Sequence, residues 1–162
     1  MKSLVCLFVL FASTATAQPD NRVSLQLGSA TVWLGMDKAA AKRNIEAAGI
    51  VFSDKLDSGG SGIAVDPRSK QIFTLKFEND RLVFADRDWL RESDVLPSIV
   101  DALTSLIDQG ASQCTVTHSP MSAPDKKVNR VLIDCGDRGL LLTYGTEGNF
   151  TTNMVSERIG RY

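Results

Sequence analysis

The amino-acid sequence predicts an α+β fold in which helices pack on one face of an antiparallel sheet. Two segments place apolar residues at helical spacing, while most of the remaining chain alternates apolar and polar residues as strands do. Short turns of Gly, Asn and Asp punctuate the strands, and a pair of cysteines is positioned to staple the later ones.

The chain opens with Lys2, an apolar run from Leu4 to Phe11 and the small-x-small sequence Ala15-Thr16-Ala17. That order predicts a secretory signal peptide over 1–17, cleaved after Ala17 because signal peptidase admits only small side chains there. The apolar run is about half the ~20 residues needed to span a bilayer, so no stable membrane anchor is expected. Cys6 lies inside the run rather than after it, which argues against lipidation. Removing seventeen residues from 162 leaves 145, a single mature domain over 18–162, and moves the formal charge from −1 to −2. This balance lacks the clustered basic surface that nucleic acid demands. The expected location is periplasmic or secreted. There Cys114 and Cys135 should form a disulfide. One histidine and no CxxC pair leave neither a zinc site nor a redox motif, and no metal or cofactor is expected.

Along the mature chain, Val23, Leu25 and Leu27 alternate as a short strand ending at Gly28, and Thr31 to Leu34 form a second apolar stretch. Asp37 can cap a helix whose small face is Ala41, Ile45 and Ala48 and whose stop is Gly49. After Ile50-Val51-Phe52, the glycine-rich Asp57 to Gly62, with Gly59 to Gly62 at its end, reads as a mobile loop. Strands over Ile72–Phe77 and Leu82–Trp89 flank Asn79-Asp80, residues that tolerate the positive φ of a tight hairpin. The second helix repeats Leu96, Ile99, Val100, Leu103, Leu106 and Ile107, with Asp94 as cap, Pro97 in the first turn and Gly110 as stop. Strands follow at Cys114–His118, Val128–Cys135, Leu140–Tyr144 and Phe150–Val155, with a proline-containing loop over Ser119–Lys127 and a turn at Gly136 to Gly139. Laying Asp37 on Asp94 also lays Asp80-Arg81 on Asp137-Arg138. This suggests a tandem helix-plus-three-strand repeat with halves 31–89 and 94–156.

The step Val32-Trp33-Leu34-Gly35-Met36-Asp37-Lys38 and the later Phe77-Glu78-Asn79-Asp80-Arg81-Leu82 with Trp89 resemble the SmpA/OmlA family of bacterial envelope proteins, over residues 31 to 89. The doubled helix-plus-sheet plan with a disulfide is similar to the beta-lactamase inhibitor protein fold. These resemblances imply a small exported domain of the envelope. The chain departs from both patterns: Gln18 stands where SmpA/OmlA members carry a lipid-bearing Cys, and the first half has no disulfide.

The chemistry-bearing residues are few. His118, in strand phase with Cys114 and Val116, is expected at the rim of a core face, and no nucleophile motif accompanies it. Asp86, Asp88, Glu92 and Asp94 alternate with Arg87 and Arg91 and read as a solvated mixed-charge surface. Gly59-Gly60-Ser61-Gly62 lacks the Gly-Lys-Ser/Thr ending of a phosphate loop. Trp33 and Trp89 fit core positions, and Asn149-Phe150-Thr151 is formally a glycosylation acceptor. No catalytic residue is assigned. The expectation is a non-catalytic protein-binding or structural module of the bacterial envelope with a protein partner; the alternative is a small periplasmic enzyme or ligand-binding protein using a pocket near His118. Strand phase adds a geometric expectation. Val116 should face Ile133 and His118 face Val131, with Val116, Val131 and Ile133 buried beneath the second helix.

Overall fold

Helix starts and strand turns are built from the residue chemistry just described, in a computed structural model that describes residues 22–54, 60–89 and 95–161. The signal segment, Gly59, Arg91, Glu92 and Asp94 lie outside the described residues. The elements run β1 (Ser24–Leu27), β2 (Ala30–Trp33), α1 (Lys38–Ala47), β3 (Val51–Ser53), β4 (Ser61–Val65), β5 (Ile72–Glu78) and β6 (Arg81–Asp88). They continue with α2 (Val95–Asp108), β7 (Thr115–Ala123), β8 (Lys126–Asp134), β9 (Arg138–Glu147) and β10 (Phe150–Gly160). Among the described residues the fold is α+β, with two helices, a β1–β2 hairpin and an eight-stranded antiparallel sheet ordered β3-β4-β5-β6-β10-β9-β8-β7.

Local signals explain most boundaries. The Asp37 carboxylate accepts from the backbone N–H groups of Ala39 at 3.0 Å and Ala40 at 3.2 Å, satisfying donors that the first helical turn leaves free. Gly49 and Gly110, at φ 77° and 76°, end the helices in the left-handed region. Asn79 and Asp80, at φ 50° and 59°, make the two-residue turn between β5 and β6. Such a turn matches the right-handed twist of the strands it joins.

Two expectations about loops are corrected. Ser61 to Val65 is strand β4, pairing Ser61 with Lys76 and Gly62 with Leu75, and the Phe77 N–H donates to the Gly60 carbonyl at 3.0 Å. Gly60 and Gly62 answer to packing, because a Cβ on Gly60 would stand 2.5 Å from the Phe77 carbonyl oxygen and one on Gly62 2.6 Å from the Phe52 ring. Likewise Ser119 to Ala123 continues β7, and only Pro124-Asp125 separates it from β8. Pro120 is accommodated because β7 is an edge strand, where a missing N–H need not break the ladder.

The repeat count also changes. Each helix is followed by four strands, not three, and the halves join through their last strands, β6 and β10. Counting turns after each helix, Asn79-Asp80 is the third, whereas Asp137 sits at the second. The third there is Gly148-Asn149.

Register places residues on faces, since side chains alternate along each strand. One row, Phe52–Ala64–Phe73–Arg87–Glu157–Leu140–Ile133–Val116, crosses all eight strands. Over its first-half end lies a core of Phe52, Ala64, Phe73 and Leu75 with Ala41 and Ile45 of α1 and Leu25, Leu27 and Val32 of the hairpin. Over its second-half end, Ala102 and Leu106 of α2 meet Leu140 and Val155, with Ile99, Leu103 and Ile133 partly buried beside them. The apolar stripe read for α2 is therefore rotated. Ala102 is fully buried, whereas Val100 is 53% and Ile107 68% exposed.

Candidate functional site

Strand alternation in β6 sorts charge by face. Arg87 points to the same side as Phe73 and Glu157, whereas Asp86 and Asp88 point to the other. The mixed-charge surface expected here is thus not one surface: the signs part because they sit one residue apart on a strand.

On the first face, Glu157, 1% exposed, accepts from Arg87 Nη2 at 2.6 Å and Nε at 3.0 Å and from Trp89 Nε1 at 3.0 Å. Ser105 Oγ of α2 and Gln109 Nε2, just past its end, donate to it at 3.3 and 3.2 Å. The Arg87 guanidinium lies 4.2 Å over the Trp89 ring and also donates to the Gln26 carbonyl of β1 at 2.8 Å. Arg138 donates to the Ser24 carbonyl at 2.8 Å and to Gln109 Oε1. Burial pushes the Arg138 guanidinium below the ordinary arginine range, and Glu157 opposes that shift. A carboxylate with this many donors has little lone-pair capacity left to take a proton from a substrate. Its role is a joint that ties β6, β10, α2 and the hairpin together. Trp89 and Trp33 are both half-buried and pack against the edges of the two cores, Trp89 also reaching the joint and Trp33 holding the Arg22 guanidinium 4.9 Å from its ring centroid. The signal for the joint in the sequence was only the pairing of an arginine with a tryptophan two residues on.

On the second face another row crosses the sheet: Ser53–Ile63–Thr74–Asp86–Arg158–Gly139–Asp134–Thr115. Arg158 stands directly opposite Asp86, yet its guanidinium turns the other way and pairs with Asp134 at 3.1 Å. Gly139 makes this route open, because a Cβ there would lie 3.1 Å from Arg158 Nε. Asp86 keeps the Thr74 N–H at 2.9 Å, and no ion pair to Asp86 or Asp88 occurs among the described residues. Burial raises the pKa of both carboxyls above the ordinary aspartate value, and the charge of Asp88 adds to the rise at Asp86. Two buried polar atoms without hydrogen-bond partners, Thr143 Oγ1 and Arg158 Nε, also belong to this face. Toward the β3 edge it carries a row of exposed aliphatics, Val51, Val65 and Ile72, paired directly across three strands and 62%, 37% and 51% exposed.

The disulfide between Cys114 and Cys135 is formed, with Cα atoms 4.1 Å apart. Val116 pairs with Ile133 and His118 with Val131, as strand phase predicts. The burial expected there is corrected: Val116 is 68% exposed and Val131 only partly buried, because α2 lies over β9 and β10 and stops short of the edge. His118 is exposed and meets the Asn129 side chain, Nε2 to Oδ1 at 3.1 Å, rather than a carboxylate. Among the described residues no group of three or more His, Cys, Asp or Glu could hold a metal ion, and no helix is long and apolar enough to cross a membrane. In comparisons with protein-family models, curated proteins and solved structures, nothing matches this chain.

Proposed function

We propose that this chain is an exported, non-catalytic binding module that engages a protein partner through the second face of its sheet. In this reading both helices and the hairpin occupy the first face, and the two helix-plus-four-strand halves are a duplicated unit joined at β6 and β10. The palindromic strand order about that junction supports the duplication. Export and an envelope location rest on the N-terminal sequence and are compatible with the formed disulfide.

The observation that carries the reading is the Val51–Val65–Ile72 row. Three aligned aliphatic side chains left in water on one sheet face are an unfavourable arrangement for a monomer and a favourable one for an apolar contact. The same face holds Asp86 and Asp88, which make no ion pair among the described residues and supply polar selectivity next to the apolar contact. A pocket enzyme built on His118 has less support, since that imidazole lies on an exposed strand against an amide.

The test is affinity capture from the envelope fraction with the exported chain and with the variant Val51→Lys/Ile72→Lys. The expected result is a partner retained by the wild type and lost by the variant, whose circular dichroism and melting temperature stay unchanged. Equal capture by both would overturn the use of this face.

A further inference from the structure

We propose that the Cys114–Cys135 bond is a redox latch on the edge of the sheet. Its reduction frees β7 alone and moves the sheet's edge to β8, while the other seven strands and both helices stay folded.

The argument starts from what β7 buries. Every residue from Thr115 to Ala123 is exposed, and the strand pairs only with β8 at the end of the sheet. Val116 ends the row that crosses the first face, yet at 68% exposure it extends past the cover of α2 and gains little packing. The hydrophobic effect, which holds the central strands, therefore contributes little here. Besides the backbone ladder, β7 is tied to β8 by two exposed side-chain hydrogen bonds, His118 with Asn129 at 3.1 Å and Thr115 Oγ1 to the Asp134 carbonyl at 3.5 Å, by the short Pro124-Asp125 turn at one end and by the disulfide at the other. A strand held by a ladder without side-chain burial is marginal in water, so the covalent tie decides whether it stays.

The two cysteines differ in a way that suits a latch. Cys114 is exposed at the mouth of β7, whereas Cys135 packs against the cluster formed by α2, Leu140 and Val155. β8 is held on its inner side by β9 and through Ile133 by the same cluster. Opening the bond therefore releases one strand and not its neighbour. A dithiol reductant attacks the sulfur of the exposed Cys114 with a thiolate, forming a mixed disulfide and expelling the Cys135 thiolate. Its second thiol then resolves the mixed disulfide. The S–S bond breaks, the two cysteines take up two electrons and two protons, and the reductant leaves as its own disulfide. With β7 free, the outer N–H and C=O groups of β8 face water or an incoming strand.

Hydrogen exchange read by mass spectrometry tests this on the whole chain, oxidised and after dithiothreitol, alongside Cys114→Ser/Cys135→Ser without reductant. The slow amides of Thr115 to Ala123 should exchange about tenfold faster or more in both the reduced and the serine proteins, with β5, β6, β10 and α2 unchanged. Acceleration spread through β6 and β10 would overturn the latch, because the bond would then hold the whole domain. Unchanged exchange in β7 of the serine variant would overturn it as well. So would a folded protein whose disulfide resists dithiothreitol, since the proposal needs Cys114 within reach of a thiolate.

Discussion

The two halves of the sheet carry the same sequence of elements but solve the burial problem differently. In the first half, α1 is short and weakly apolar and buries only Ala41 and Ile45, yet among the described residues it belongs to a core of sixteen buried ones. In the second, α2 is longer and far more apolar, and its cluster holds four described buried residues, Ala102, Leu106, Leu140 and Val155. The difference lies in what stands beside each helix. The β1–β2 hairpin brings Leu25, Leu27 and Val32 against α1 and the strands beneath it, whereas it meets the end of α2 only through polar groups, Arg87 bridging Gln26 to Ser105 and Arg138 bridging Ser24 to Gln109. Side-chain apolarity sets how much a helix can bury; coverage by neighbours sets how much it does. The second half instead has a disulfide at its edge and a polar joint to the first.

Breaking the joint should have the largest effect. Glu157→Ala leaves the Arg87 guanidinium, 14% exposed, without its carboxylate, and about 3–5 kcal/mol should be lost in urea denaturation. The double variant Glu157→Leu/Arg87→Leu should recover much of that loss, because an apolar pair removes both charges. A cost below about 1 kcal/mol for Glu157→Ala would show that the halves do not depend on the joint.

Truncations inside each core sharpen the comparison. Phe73→Ala, fully buried in the larger cluster, should cost about 3–5 kcal/mol, and Leu106→Ala, in the smaller one, should fall near the lower end of about 2–5 kcal/mol. Equal losses would mean that the two cores are equally well packed.

The acid pair on the second face makes a prediction about pH. Burial raises the folded-state pKa of Asp86 and Asp88 above the ordinary value of 3.8, so the folded chain holds more protons than the unfolded one between the two values. Stability should then fall as pH rises through that window and return below it. Asp86→Asn, which can still accept the Thr74 N–H, should flatten this dependence and leave the neutral-pH melting temperature equal or higher. A steeper fall in the variant would contradict the assignment. The smallest effect belongs to the edge: Val116→Thr, at 68% exposure, should change stability by no more than about 0.5 kcal/mol.

The candidate site was only partly legible. Asp86 and Asp88 were visible as a charged run, but pairing them with Arg87 as one solvated surface ignored that a strand sends neighbours to opposite faces. The glycine-rich stretch is ambiguous in sequence because flexible composition and close packing use the same residue; Phe52 lying over Gly62 distinguishes them. Pro120 misled in the same way, since its cost in a sheet depends on whether the strand is at the edge.

What the sequence by itself determined is what neighbouring residues decide among themselves. The Asp37 cap, the glycine stops, the Asn79-Asp80 turn and the Cys114-to-Cys135 hairpin register all follow from chemistry within a few residues or from strict two-residue alternation. Only the tertiary structure decided that β6 pairs with β10. That pairing brings Arg87 to Glu157 and turns Arg158 over Gly139 to Asp134, away from Asp86. Arg87 and Glu157 are seventy positions apart, and no periodicity or turn signal spans such a distance. The choice rests on burying both halves of the sheet at once, which is a property of the assembled layers and not of any segment.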